Sequence, residues 1–124
     1  SSGTRVINIE KEGRINISES GYSGTADYHY IWYTDYSVNH FHELNLNFSD
    51  YSLGDVAIYS GTYLSTTRYF RNGTMTDFFT GDFSASHLGV PYSISWEISS
   101  SNDGSTATQT GTYTVNGKTN NISY

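Results

Sequence analysis

Residues 44–61, LNLNFSDYSLGDVAIYSG, contain two alternating runs separated by a short turn. The first run alternates leucine or phenylalanine with asparagine up to Phe48, and the second resumes at Val56 after Gly54 and Asp55. A period of two is typical of β-strands with one buried face, and glycine and aspartate between such runs are typical of a turn. The stretch therefore predicts two antiparallel strands joined by a tight turn.

The same period of two continues along most of the chain, in runs at 6–9, 14–18, 26–36, 92–99 and 111–116. Residues 62–88 are the least regular, and we expect one or two short strands there, near 67–70 and 76–80. Glycine-containing segments are predicted to end the strands. They lie at 12–13, 21–25, 54, 61, 72–73, 81–82, 89–91, 102–104 and 116–117. Strands of five to eight residues at this spacing predict one domain over residues 1–124, an antiparallel β-sandwich or another closed all-β architecture.

Composition narrows the class of protein. The 124 residues include 12 tyrosines, 12 glycines and no cysteine, and only 15% of residues are charged, which is typical of an all-β extracellular domain. The net charge of −6 argues against binding to nucleic acid or to an anionic membrane surface. No apolar run is long enough to span a membrane, and no signal peptide is visible. We expect a secreted or cell-surface location.

The order of the motifs resembles the CUB domain, an extracellular jelly-roll-like β-sandwich. The resemblance covers about residues 13–115, and the aromatic strand around Trp32 is one of its features. The others are Gly13-Arg14-Ile15-Asn16-Ile17-Ser18, Leu44-x-Leu46-x-Phe48, Asp55-x-x-Ile58-x-x-Gly61 and Ser101-Asn102-Asp103-Gly104-Ser105 before Gly111-Thr112-Tyr113. The chain lacks the two disulfides that CUB domains usually carry. Residues 44–61 also resemble the prepeptidase C-terminal domain, a bacterial secreted β-sandwich.

The CUB resemblance implies a calcium site. In this sequence Asp55 and Asp103 match the family's ligand positions best, Asp50 would replace a missing acidic residue, and the carbonyl of Ser105 would be a further ligand. Calcium binds six to eight oxygen ligands of this kind. The other interpretation is that each aspartate is a turn residue, because aspartate side chains bond their own backbone.

The aromatic residues divide into two groups. Tyr28 and Trp32 have the period of a packed interior. Tyr51, Tyr59 and Tyr63 lie off that pattern and are predicted to form a binding surface for protein or sugar. Two histidines, at 40 and 42, share a strand face, but no third zinc ligand accompanies them in the sequence.

These observations predict a non-catalytic, extracellular module for protein recognition or adhesion. It is expected to engage lysine or arginine side chains of the partner protein in a calcium-dependent way. The alternative is a carbohydrate-binding or prepeptidase-type accessory domain of a secreted enzyme. An enzyme is disfavoured because the sequence contains no nucleophile-elbow or phosphate-loop motif.

Overall fold

The computed structural model describes residues 6–19, 22–34 and 40–124. They form one antiparallel sheet of eight strands, in which each strand pairs with its neighbours in sequence. The strands are β1 (Val6–Glu19), β2 (Tyr22–Thr34), β3 (His40–Leu53), β4 (Val56–Tyr69), β5 (Met75–His87), β6 (Val90–Asn102), β7 (Ala107–Val115) and β8 (Lys118–Ser123).

The predicted all-β antiparallel class is confirmed. The strand order is a simple meander, whereas a jelly roll joins its strands through Greek-key crossings, so the jelly-roll-like connectivity was wrong. The packing of two layers in a sandwich stays a prediction. Within the described ranges, no helix is long and apolar enough to cross a membrane.

The strands are longer than the sequence predicted. β1 to β6 each have 13 or 14 residues and continue through Gly13, Gly24, Gly61 and Gly81, which were predicted to end strands. Residues 62–88, predicted to be irregular, contain most of β4 and all of β5. The turns at 54–55, 88–89, 103–106 and 116–117 lie where the glycine-containing breakers predicted them.

Large aromatic rings explain why glycine is accepted inside these strands. A Cβ atom added to Gly61 would meet the ring of Phe83, and one added to Gly81 would meet the ring of Trp96. The rings of Phe48 and Phe83 lie on either side of Gly61 and approach to 5.6 Å between centroids, although their strands are not adjacent. Glycine is therefore needed for close approach here and does not end the strand.

The sheet has two chemically different faces. We call the first the aromatic face, because one row of directly opposed residues across it contains Tyr28, Leu46, Tyr63, Trp96 and Tyr113. We call the second the hydroxyl face. Its side chains are mostly serine, threonine and asparagine, and the neighbouring row reads Asn47, Thr62, Asp82, Ser95 and Thr114. The alternation predicted from the sequence places each side chain on its face.

A buried cluster lies at one end of the hydroxyl face. Ile31, Tyr33 and Phe41 form a buried cluster there, and Phe70 packs against it. The rings of Tyr33 and Phe41 stack with centroids 4.8 Å apart. Arg68 lies over the outer side of the Phe41 ring at 4.6 Å, a cation–π contact. Tyr33 therefore belongs to the packed interior.

Candidate functional site

The predicted calcium ligand Asp55 lies in the two-residue turn between β3 and β4. Its carboxylate is 3.1 Å from Nε2 of His87, and its carbonyl accepts a hydrogen bond from the amide of Leu88. These contacts join the β3–β4 turn to the β5–β6 turn at the same end of the sheet. Asp50 is exposed at this end, in a left-handed conformation with φ 49°.

Asp103 lies in the β6–β7 turn. Its Oδ1 accepts hydrogen bonds from the amides of Ser105 and Thr106 and from the Ser105 hydroxyl, at 2.8–3.1 Å. These hydrogen bonds hold the pKa of the Asp103 carboxyl below its usual value, chiefly through the Ser105 and Thr106 amides. The geometry is that of an aspartate that stabilises its own turn.

The structure does not bring Asp55 and Asp103 together. In a meander, successive turns alternate between the two ends of the sheet, so the β3–β4 and β6–β7 turns lie at opposite ends. A 13-residue strand separates these ends by on the order of 40 Å at roughly 3.3 Å per residue. A single calcium ion cannot bridge that distance, so the two-loop site was wrong in its geometry. No cluster of three metal-ligating side chains occurs among the residues that the structure describes.

The three predicted binding-surface tyrosines have different surroundings. Tyr51 is half-buried, and its ring packs edge-on against Phe48 at 5.5 Å. Tyr63 is half-buried on the aromatic face, opposite Leu46 and Gly81. Tyr59 belongs to β4, and its side chain lies outside the described part of the structure. Tyr51 and Tyr63 are therefore less exposed than the sequence predicted, and their role in a binding surface stays a prediction.

A groove of about 580 Å³ crosses the hydroxyl face over strands β4 to β7. Phe78 lines it and is 39% exposed. One row of the sheet places Thr66, Phe78, Ser99 and Thr110 side by side across four strands. Arg68 lines the same groove and is exposed. The groove thus combines an apolar ring, a guanidinium group and several hydroxyls.

A second groove of about 430 Å³ lies on the same strands, nearer the middle of the sheet. Its polar lining includes the carboxylates of Asp82 and Glu97, and both residues are exposed. Thr62 and Thr80 line it from β4 and β5, and two threonines line it from β7. Together the two grooves form a strip of donors and acceptors along β4 to β7.

The sequence carries a signal for this strip. Threonine occurs at every second position from 106 to 114, so β7 presents a row of hydroxyls on one face. The place of Phe78 was harder to predict, because its neighbour Phe79 is equally apolar and only the strand register decides which ring faces the groove.

No family model, curated protein or solved structure matches the chain.

The two histidines of β3 belong to an aromatic cluster on the aromatic face. The His42 ring stacks on Trp32 with an interplanar angle of 5°, and its Nδ1 is 2.6 Å from the Tyr30 hydroxyl. Tyr69 packs edge-on against the same ring. Burial, and secondarily the charge of His40, lower the pKa of His42 below its ordinary value of 6.5. The neutral ring is therefore favoured, and its Nδ1 can accept a hydrogen bond from the Tyr30 hydroxyl.

This arrangement predicts acid sensitivity. Because the pKa of His42 is lower in the folded chain, the unfolded chain binds more protons as the pH falls through and below 6.5. The stabilisation from the neutral ring is therefore present above pH 6.5 and lost as the pH falls through the folded pKa. We expect the imidazole NMR titration of His42 to have a midpoint below 6.5, and the urea midpoint of unfolding to fall between pH 7.5 and 5.

His42→Gln should reduce this fall, whereas His40→Gln should move the His42 midpoint back toward 6.5 because it removes a neighbouring positive charge. A His42 midpoint above 6.5 would contradict the assignment.

Proposed function

We propose that this chain is a non-catalytic, extracellular binding module that holds a carbohydrate on its hydroxyl face. The observation that supports the proposal most is the groove of about 580 Å³ with the exposed ring of Phe78 on its floor. Sites of about 300–1,000 Å³ are usual for small ligands, so the groove has room for a short oligosaccharide. This is the alternative function that the sequence predicted, with a different set of residues.

The chemistry of the groove suits a polyhydroxylated ligand. Serine and threonine hydroxyls both donate and accept hydrogen bonds, so Thr66, Ser99 and Thr110 can match sugar hydroxyls in either orientation. Arg68 supplies several fixed donors for ring or linkage oxygens. The flat face of Phe78 can cover the apolar C–H surface of a sugar ring, which removes apolar area from water on both partners.

The contribution of Phe78 can be tested with a matched variant. Phe78 and Tyr113 are 39% and 38% exposed, but they lie on opposite faces of the sheet. We expect Phe78→Ala to weaken oligosaccharide binding by about tenfold or more, the effect of losing one stacking contact of 1.4 kcal/mol or more. Tyr113→Ala should leave the affinity unchanged. Retention on polysaccharide affinity gels identifies the sugar, and titration calorimetry with that sugar measures both variants.

Phe78→Ala and Tyr113→Ala should both retain the wild-type circular dichroism spectrum. Arg68→Ala should also weaken binding, by removal of donors at the end of the groove. Equal losses in the Phe78 and Tyr113 variants, or no retention on any neutral or acidic polysaccharide, would contradict the proposal. Calcium-dependent protein recognition stays a prediction, and in this arrangement it would need ligands other than the pair Asp55 and Asp103.

A further inference from the structure

Among the described residues, the first strand is an exposed edge of the sheet. β1 pairs with β2 along one side, and it stands at the end of the strand order. Val6, Ile7, Ile9 and Ile15 are 54%, 53%, 39% and 44% exposed, so apolar side chains are concentrated on this edge. A long edge strand with free backbone groups and exposed apolar side chains is a template for pairing with another strand.

The sequence of this edge indicates which strand fits it. Residues 7–17, INIEKEGRINI, are nearly symmetric about Glu12. Isoleucine stands at 7, 9, 15 and 17, and asparagine stands at 8 and 16, at equal distances on either side of the centre. Glu10 and Arg14 are also equally distant from it and carry opposite charges. A strand of this kind is complementary to an antiparallel copy of itself.

The faces of the sheet agree with that symmetry over residues 9–15, whereas a register shift after Ile7 places Ile7 opposite Tyr33, on the hydroxyl face. Ile9 and Ile15 lie opposite Trp32 and Ala26, so both are on the aromatic face. Glu10 and Arg14 both point to the hydroxyl face. A twofold axis perpendicular to the sheet at Glu12 would place Ile9 opposite Ile15 of the other copy, and Glu10 opposite its Arg14, each twice. Apolar and opposite-charge pairs of this type stabilise adjacent strands.

Other registers pair the residues of β1 differently. A shift by two residues in one direction places Lys11 opposite itself and Glu10 opposite Glu12, which brings like charges together. A shift by two in the other direction keeps an attractive pair, Glu12 with Arg14, but places Lys11 opposite Ile15 and Glu10 opposite an asparagine. A shift by one places each isoleucine opposite a residue of the wrong face. In the central register one pair of like charges remains, Glu12 opposite Glu12 of the other copy.

We propose that two copies of this chain associate through antiparallel pairing of β1 with β1, centred on Glu12, to form one continuous sheet of sixteen strands. The interface is isologous, as in most homodimers, and it satisfies the free backbone groups of both edges. Arg14 already donates hydrogen bonds to both carboxylate oxygens of Asp27, at 2.7 and 3.2 Å, and Glu10 of the second copy would approach it from the open side. The hydroxyl faces of the two copies then lie on the same side, so two grooves face one surface.

Cysteine cross-linking tests the register directly, because the chain has no cysteine of its own. In the proposed pairing, the two residues at position 12 are directly opposed, within disulfide range. Glu12→Cys should therefore form a covalent dimer under mild oxidation at micromolar concentration. Lys11→Cys would cross-link efficiently only in the register that places Lys11 opposite itself. Asn121→Cys, on the exposed β8 edge, should stay monomeric.

Sedimentation of the unmodified chain should show a monomer–dimer equilibrium. Arg14→Glu should raise the dimer Kd by about tenfold or more, because two attractive pairs become two repulsive ones. The double variant Glu10→Arg with Arg14→Glu should restore dimerisation, which a loss of folding could not do.

A chain that is monomeric at 0.1 mM, a dimer whose Kd is indifferent to Arg14→Glu, or preferential cross-linking through Lys11→Cys or Asn121→Cys would each overturn the proposal. These results do not depend on the sugar experiments, because they are obtained without ligand.

Discussion

Replacing Gly111 with alanine is expected to lower the free energy of unfolding by about 2–4 kcal/mol, the effect of overpacking against a rigid partner. Gly111 lies in β7 opposite Ile98 of β6. An added Cβ would meet the carbonyl oxygen of Glu97 and lie 2.8 Å from the Cα of Ile98. Both neighbours are backbone atoms, so no side-chain rotation can relieve the contact and the two strands would have to separate.

Urea unfolding at 25 °C, followed by tryptophan fluorescence, measures this loss, and Thr110→Ala is the matched control. Thr110 is the adjacent residue, is exposed and lies on the other face. Its replacement should change the free energy of unfolding by about 0.5 kcal/mol or less. If alanine at 111 cost no more than alanine at 110, the close approach of β6 and β7 would be incorrect.

Replacing Phe83 with alanine is expected to cost about 2–4 kcal/mol, because its ring is the centre of the aromatic face. The ring stacks on Trp96 with centroids 5.5 Å apart, contacts Phe48 at 5.6 Å and covers Gly61. Truncation removes all three contacts and exposes the backbone of Gly61. Thermal and urea unfolding should both report the loss. Phe78→Ala, on the opposite face, should lower the free energy of unfolding by less.

A double-mutant cycle separates this effect from a general loss of apolar area. In the wild-type background Gly61→Ala should destabilise, because its Cβ would meet the Phe83 ring. In the Phe83→Ala background the same replacement should be neutral or stabilising, since alanine is preferred to glycine within a strand. A coupling energy of about 1 kcal/mol or more is expected for residues in direct contact. Additive effects would show that the ring does not cover Gly61.

Much of the local structure could be predicted from the sequence. The alternation at 44–48 and at 92–98 gave the correct faces, and glycine-containing turns at 54–55 and 116–117 joined the strands as expected. The misplaced strand ends arose from Gly61 and Gly81, because a glycine that makes room for a ring looks the same in sequence as a glycine that makes a turn. The deciding residue, such as Phe83 or Trp96, lies on a neighbouring strand.

The predicted convergence of Asp55 and Asp103 was wrong for a related reason. The turn propensities of Asp55 and Asp103 were read correctly, but their separation depends on how many strands lie between them. Three strands, β4 to β6, separate the two turns, and an odd number places them at opposite ends of a meander. The sequence predicted additional strand ends within β4 and β5, so it did not give the correct number of strands between the two turns. Local propensity specifies a turn, whereas the convergence of two turns is a property of the whole topology.

The sequential strand order also determines how the chain gains its structure. Every strand pairing is closed by a short connection, such as the two-residue turns at 54–55, 88–89 and 116–117, so little loop entropy is lost at each step. Pairings that are local in sequence favour rapid folding, in contrast to the distant pairings of Greek-key sandwiches. Stability then resembles a sum of nearest-neighbour terms, as in repeat proteins, and the hairpins can assemble outward from whichever of them forms first.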